Sequence, residues 1–241
     1  PNGRLNVLAD GTRLAPIATY LKRVNKRLGM VTTDHICGGT PGGFAAVSED
    51  RNAYDMIAMQ YLELADVLMG GGRVAFDALG REDRQDLIWL YQSRGYRVMV
   101  DRSTLLSSQA SERVLGLFGD GRLPFTIDHT ADPELRRRTP TLAEMTRHAL
   151  KCLEGRGDGF LLQVEGARID HAGHANDIAA ALWDQIAFDD AIAAALEFAR
   201  EDGETLVFVC TDHGTGGPGL CGVGDAYSAA GGHFERIATA Q

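Results

Sequence analysis

The four cysteines, Cys37, Cys152, Cys210 and Cys221, show no CxxC spacing, so neither a zinc knuckle nor a disulfide framework is signalled, and buried thiols are the expectation. No stretch approaches the roughly 20 apolar residues of a membrane-spanning helix. Pro1-Asn2-Gly3-Arg4 is not the start of a signal peptide, and without an initiator Met the chain reads as a mature form or a fragment. Basic residues are outnumbered, 24 Lys and Arg against 33 Asp and Glu for a net charge of −9. That balance argues against a nucleic-acid or anionic-membrane partner, and an anionic substrate would need local cations. Internal repeats, heptads and low-complexity tracts are also missing. What remains is 241 residues, 44% hydrophobic and 24% charged, the composition of an ordinary globular protein long enough to bury a core. Glycine alone is in excess, with 29 residues against an average of about 7%. It clusters at 70–72, 214–224 and 231–232, which implies tight loops where backbone approaches closely.

Apolar spacing at Leu14, Ile17, Ala18 and Leu21 predicts a helix, with Gly29 as its stop and a short strand over 30–32. A helix over 54–65 precedes a strand at Val67-Leu68-Met69. The unit repeats as a helix over 84–94 and an extended run over 96–100, followed by a short strand over 114–118. Residues 128–139 are polar and read as a surface loop, and Thr141-Leu142-Ala143-Glu144 has the form of a capping box opening a helix to Leu153. Phe160 to Val164 reads as a buried strand, 178–201 as a long amphipathic helix, and Thr205 to Cys210 as a second buried strand. Such alternation implies a parallel sheet with helices on both faces, whose ligands gather at the carboxyl ends of the strands.

The densest set of metal-capable side chains follows the first of these two strands: Glu165, Asp170, His171, His174 and Asp177. Asp170 and His174 stand four apart, which on a helix puts a carboxylate and an imidazole on one face. The second strand ends in Thr211-Asp212-His213-Gly214, again an acid and a histidine. Each pair alone is readily a helix cap or an exposed pair. Both together, each directly after an apolar strand, point to a metal site whose oxygen and nitrogen donors suit Zn²⁺, Mg²⁺ or Mn²⁺. Upstream, Gly38-Gly39-Thr40-Pro41-Gly42-Gly43 reads as a small-residue turn whose Thr40 hydroxyl reaches a hard cation. Arg51 offers the planar fork that suits phosphate, although each alone is an ordinary surface residue.

Val164-Glu165-Gly166-Ala167-Arg168-Ile169-Asp170-His171-Ala172-Gly173-His174, taken with Thr211-Asp212-His213-Gly214-Thr215-Gly216-Gly217, strongly resembles the alkaline phosphatase family, bacterial type. The likeness extends through 66–72, 31–33 and Thr40-Pro41. It implies a three-layer α/β/α sandwich around a large, mostly parallel sheet, with residues 1–241 forming an internal portion of one such domain. It further implies a zinc-assisted phosphate monoester hydrolase with two Zn²⁺ and one Mg²⁺. Asp170 and His174 would bind the first zinc, Asp212 and His213 the second, and Glu165 and Thr40 the magnesium. Arg51 would grip phosphate oxygens, and His171, beside a ligand, would touch the phosphate directly or through water. Members are usually periplasmic or secreted homodimers acting on small phosphate monoesters.

The family's nucleophilic serine and first-strand aspartate are expected upstream of the matched region, and its third histidine on the first zinc near the C-terminus. Ser228, in a faint echo of the nucleophile motif, and His233 are not expected to fill these roles. Two alternatives share the Asp-x-x-x-His and Asp-His pattern: a related phosphodiesterase or sulfatase-type hydrolase, and a non-catalytic metal-binding fragment. Glu165 and the Thr40–Arg51 pair favour the monoesterase.

Overall fold

The central strands Val67–Gly71 and Val114–Leu117 are continuous buried runs, and because successive side chains point to opposite faces each presents apolar residues to both faces of a sheet. The structure, a computed structural model, describes residues 3–217. In chain order these form α1 (Ile17–Arg23), β1 (Arg27–His35), α2 (Gly39–Ala45), α3 (Tyr54–Leu64), β2 (Val67–Gly71), α4 (Leu87–Ser93), β3 (Arg97–Met99) and α5 (Arg102–Ser107). They continue with β4 (Val114–Leu117), α6 (Thr126–Ala131), α7 (Pro133–Arg138), α8 (Leu142–Leu153), β5 (Phe160–Glu165), α9 (Arg168–Ala175) and α10 (Ile178–Asp202).

The strands pair in the order β3-β4-β2-β1-β5, and every pairing is parallel. Leu28, Met30, Leu68, Leu115 and Leu117 pack on one face with Ala18, Ile57, Tyr61, Leu87 and Tyr91 from α1, α3 and α4. Val31, Val67, Met69 and Val114 pack on the other with Met145, Ala149 and Leu153 of α8 and Ala191 of α10. The result is the three-layer α/β/α arrangement that alternating strands and helices imply. Buried tyrosines keep their polar tips satisfied: Tyr91 Oη donates to the Ala58 carbonyl at 2.7 Å, and Tyr61 Oη to that of Ile36 at 3.2 Å.

The capping box is real. Thr141 Oγ1 accepts from the Glu144 N–H at 3.2 Å and Glu144 Oε2 from the Thr141 N–H at 2.9 Å, opening α8. Arg102 then holds the same Glu144 carboxylate in a fork. At the other end of the chain, Asp177 caps α10 by accepting from the Ala180 N–H at 3.0 Å, and Gly203 ends it in the left-handed region.

Several expectations fail for definable reasons. Gly29 does not stop a helix but lies inside β1, where a Cβ would sit 2.8 Å from side-chain carbons of both Leu153 and Leu162. Residues 128–139 hold α6 and α7 rather than a loop, and Asp132 caps α7 ahead of Pro133 at its first position. The glycine-rich run after β1 is not a turn, since Gly39, Thr40 and Pro41 open α2.

The largest departure is at 205–210. This run is not a strand, has no sheet partner among the described residues, and leaves Leu206 90% and Phe208 81% exposed. Strand propensity is realised only where an edge is offered, and the single partner of β5 among the described residues is β1. Cys37 and Cys152 are buried as expected, whereas Cys210 is exposed for the same reason. Cys221, Ser228 and His233 lie outside the described residues.

Candidate functional site

The carboxyl ends of β1 and β5 lie side by side, because Thr32 pairs with Glu165 in the parallel register. Thr32 Oγ1 donates to Glu165 Oε2 at 2.7 Å and accepts from the Asp34 N–H at 3.0 Å. The first turn of α2 brings Thr40 to the same carboxylate. Burial pushes the Glu165 carboxyl up; hydrogen bonds from Thr40 and Thr32 pull it down, while the charges of Asp34 and Asp212 push it further up. A buried carboxylate that receives two hydroxyl bonds and feels the charges of two further acids is one whose ionised form a bound cation would stabilise. Arg51 is exposed, and its guanidinium lies over Gly39, where a Cβ would stand 2.6 Å from Nη2. Thr40, Glu165 and Arg51 are thus gathered around the start of α2.

The raised Glu165 carboxyl has a stability consequence. Its folded form favours the proton, so the metal-free chain loses stability as pH rises from the ordinary glutamate value through the raised one. Glu165→Gln, which needs no ionisation, is therefore expected to unfold at higher denaturant than the native chain at pH 8 in EDTA, with the difference gone at pH 4. Urea titrations at the two pH values check this, and a higher native midpoint at pH 8 would refute it.

Helix α9 supplies the second group. Asp170 and His174 do share a face, with His174 Nε2 3.5 Å from Asp170 Oδ2. The other oxygen of Asp170 accepts a short hydrogen bond of 2.5 Å from Thr215 Oγ1, which anchors the 211–217 segment to α9. His213 Nδ1 is 3.1 Å from Thr215 Oγ1 and 3.9 Å from Asp170 Oδ1, and His213 Nε2 is 3.2 Å from Asp212 Oδ2. Thr215 has one proton and gives it to Asp170, so His213 Nδ1–H is the donor in their contact. In the neutral imidazole this leaves the Nε2 lone pair beside a carboxylate oxygen.

Bonds of 2.0–2.1 Å around a tetrahedral ion put neighbouring donors about 3.3–3.4 Å apart. The Asp170–His174 and Asp212–His213 pairs, at 3.5 and 3.2 Å, match that edge. Among the described residues no three His, Cys, Asp or Glu side chains close on one point. The donors stand as pairs, each of which fits an oxygen–nitrogen metal.

His171 takes no part in these two contacts and has partners of its own. Arg168 Nη1 lies 3.3 Å from His171 Nδ1, and a guanidinium only donates, so the imidazole proton sits on Nε2. That nitrogen faces Asp34 Oδ2 at 3.8 Å, and Asp34 Oδ1 accepts from Arg122 Nε at 2.9 Å. Burial pushes the His171 imidazole down, the Asp34 charge opposes this, and Arg122 and Arg168 push it further down. Arg168 itself stacks on Phe125, 3.5 Å from the ring centre.

Asp34, Arg122, Arg168, Thr32 and Thr215 were not singled out by sequence reasoning as site residues. Asp34 carried one readable signal, an acid at the carboxyl end of a predicted strand, as at Glu165 and Asp212.

A parallel sheet clad by helices, with acids, imidazoles and guanidiniums at the carboxyl ends of its strands, is the scaffold of an α/β enzyme. The chain belongs to the alkaline phosphatase family, whose model matches residues 1–230. It is 39% identical over 223 residues to alkaline phosphatase 3 of Bacillus subtilis, covering 90% of this chain and 46% of that protein. The alkaline phosphatase structure from Thermus thermophilus matches with a TM-score of 0.90 and 39% identity, over 98% of this chain and 50% of that one. A histidine variant of the enzyme from the Antarctic bacterium TAB5, with Mg bound in its M3 site, matches at a TM-score of 0.70 and 28% identity, over 84% and 56% of the two chains. The chain therefore spans about half the length of the relatives it matches.

Proposed function

We propose that this chain carries the metal- and phosphate-binding portion of a phosphate monoester hydrolase that works with two Zn²⁺ and one Mg²⁺. Asp170 and His174 hold the first zinc, Asp212 and His213 the second, and Glu165 with Thr40 the magnesium. The observation that carries the reading is the pair of carboxylate–imidazole contacts at 3.5 and 3.2 Å, tied together through Thr215. When bound, a zinc pair lowers the pKa of an attacking hydroxyl and takes charge from the leaving oxygen.

The chain's own groups do the rest. Arg51 donates two parallel N–H bonds to non-bridging phosphate oxygens, which selects a tetrahedral dianion and fixes its orientation. His171, with its proton held on Nε2 by Arg168, donates at the rim of the site. Burial favours the protonated form of Glu165, so cation binding and loss of its proton are coupled. The attacking oxygen is assigned to no side chain among the described residues. The family resemblance also supports a homodimer acting in the periplasm or outside the cell.

Hydrolysis of 4-nitrophenyl phosphate and of bis(4-nitrophenyl) phosphate, with Zn²⁺ and Mg²⁺ present, tests this. In the protein that carries this chain together with the attacking group that the resemblance places upstream, zinc-dependent release is expected at least about tenfold faster from the monoester, lost in EDTA and regained on adding Zn²⁺. A preference for the diester would transfer the chain to the phosphodiesterase reading. No release and no bound zinc would leave the scaffold without the proposed function.

A further inference from the structure

Position 38, where the chain turns from β1 into α2, has no side chain. A Cβ there would lie 2.9 Å from the His35 carbonyl oxygen, 3.0 Å from Asp34 Oδ2 and 3.6 Å from its Cγ, so the chain's own turn and the Asp34 carboxylate together fill the room that a side chain of residue 38 would enter. Asp34 is held on three sides. Its N–H is tied to Thr32 Oγ1, the same hydroxyl that donates to Glu165. Arg122 Nε donates to Oδ1, and Oδ2 faces the Nε2–H of His171. Only 18% of the side chain is exposed, against 56% for Arg122.

An acid kept here, next to the carboxylate of Glu165, is unfavourable unless it serves a neighbour. Its partners come from three separate elements, the strand-end hydroxyl, the loop after β4 and α9, so it fixes their relative placement.

We propose that Asp34 is a positioning residue: anchored by Arg122 and seated where a side chain of residue 38 would enter, it fixes the orientation in which the His171 imidazole meets a bound phosphate. The proposal rests on the phosphatase reading only for what His171 faces. Outer partners of this kind typically change ligand affinity by about 10–100-fold.

The test uses two readouts at one pH. In the metal-free chain, the ¹⁵N shifts of the His171 ring report its tautomer and hydrogen bonding. In the Zn²⁺- and Mg²⁺-loaded chain, calorimetry reports binding of inorganic phosphate. Asp34→Ala is expected to move the His171 shifts and to weaken phosphate about tenfold. Arg122→Gln, at an exposed site that leaves folding intact, is expected to move both in the same direction by a smaller factor, about threefold. Asp34→Asn, which keeps an acceptor oxygen for Arg122 or His171, is expected to lose less phosphate affinity than Asp34→Ala.

His171 shifts and phosphate affinity unchanged in both Asp34→Ala and Arg122→Gln would overturn the proposal. Altered shifts in a chain that binds no phosphate even in its native form would instead overturn the phosphatase reading and leave the positioning of His171 standing.

Discussion

Replacing Asp66 by alanine is expected to cost about 3 kcal/mol of folding stability, the lower end of the range for removing one partner of a buried ion pair. Asp66 sits at the amino end of β2, the end of the sheet opposite the candidate site. Its side chain is 3% exposed and meets Lys22 Nζ at 2.9 Å and Arg27 Nε at 3.0 Å. It also accepts from the Leu28 N–H at 2.9 Å, so one carboxylate bonds Lys22 and a buried backbone donor and lends its charge to Arg27 where α1, β1 and β2 converge. Alanine leaves the Leu28 N–H without its acceptor and both cations without their counter-charge. Lys22 is 29% exposed and recovers some hydration, which is why the cost falls at the lower end. Asp66→Asn keeps an acceptor for Leu28 and is expected to lose less. Urea unfolding of the three proteins measures this, and a loss below about 1 kcal/mol for alanine would show that the cations are as well solvated without their partner.

The same end of the molecule shows which parts of the fold were legible. Short apolar runs mark the strands over 67–69, 114–118 and 160–164, and helical spacing marks α3, α8 and α10, because in each the buried residues are written in the local sequence. The polar stretch 128–139 hid two short helices, since α7 has no buried residue to report; Asp132 followed by Pro133 was the cap signal that spoke for it. Residues 205–210 misled in the other direction. Their apolar, β-branched composition is that of a strand, but a strand also needs a neighbour, and pairing is not a property of the segment.

At the site, Asp170 and His174 were readable because a helix converts a spacing of four into a shared face. Asp34 was not, because its meaning lies in Arg122, 88 residues on, and in His171, and only the packed sheet brings those three together. The empty position at Gly38 acquires significance in the same way, from what fills it.

Asp170→Asn is expected to weaken zinc binding by more than about a hundredfold. Outer partners of a metal ligand alone are worth about 10–100-fold, and in the proposed site Asp170 is a donor itself as well as the junction of the whole cluster. One of its oxygens meets His174 and the other accepts from Thr215, which in turn takes the Nδ1–H of His213. An amide loses the negative charge and turns one oxygen into an NH₂, so it fails either the imidazole pair or the threonine. His174 and His213 are 70% and 58% exposed in their side chains, and the side-chain ties from 211–217 to α9, the Thr215 hydrogen bond and the longer His213 contact at 3.9 Å, both end on Asp170. The loss should therefore reach both zincs rather than the first alone. Thr215→Val separates the two parts of this effect: it keeps the carboxylate and removes the tie, and an intermediate loss of about tenfold is expected, with Thr215→Ser close to native. Competition against a chromogenic chelator reads affinity and stoichiometry together. Loss of a single zinc in Asp170→Asn would mean that the Asp212–His213 pair is held in place without α9, and an affinity within threefold of native would remove Asp170 from the ligand set.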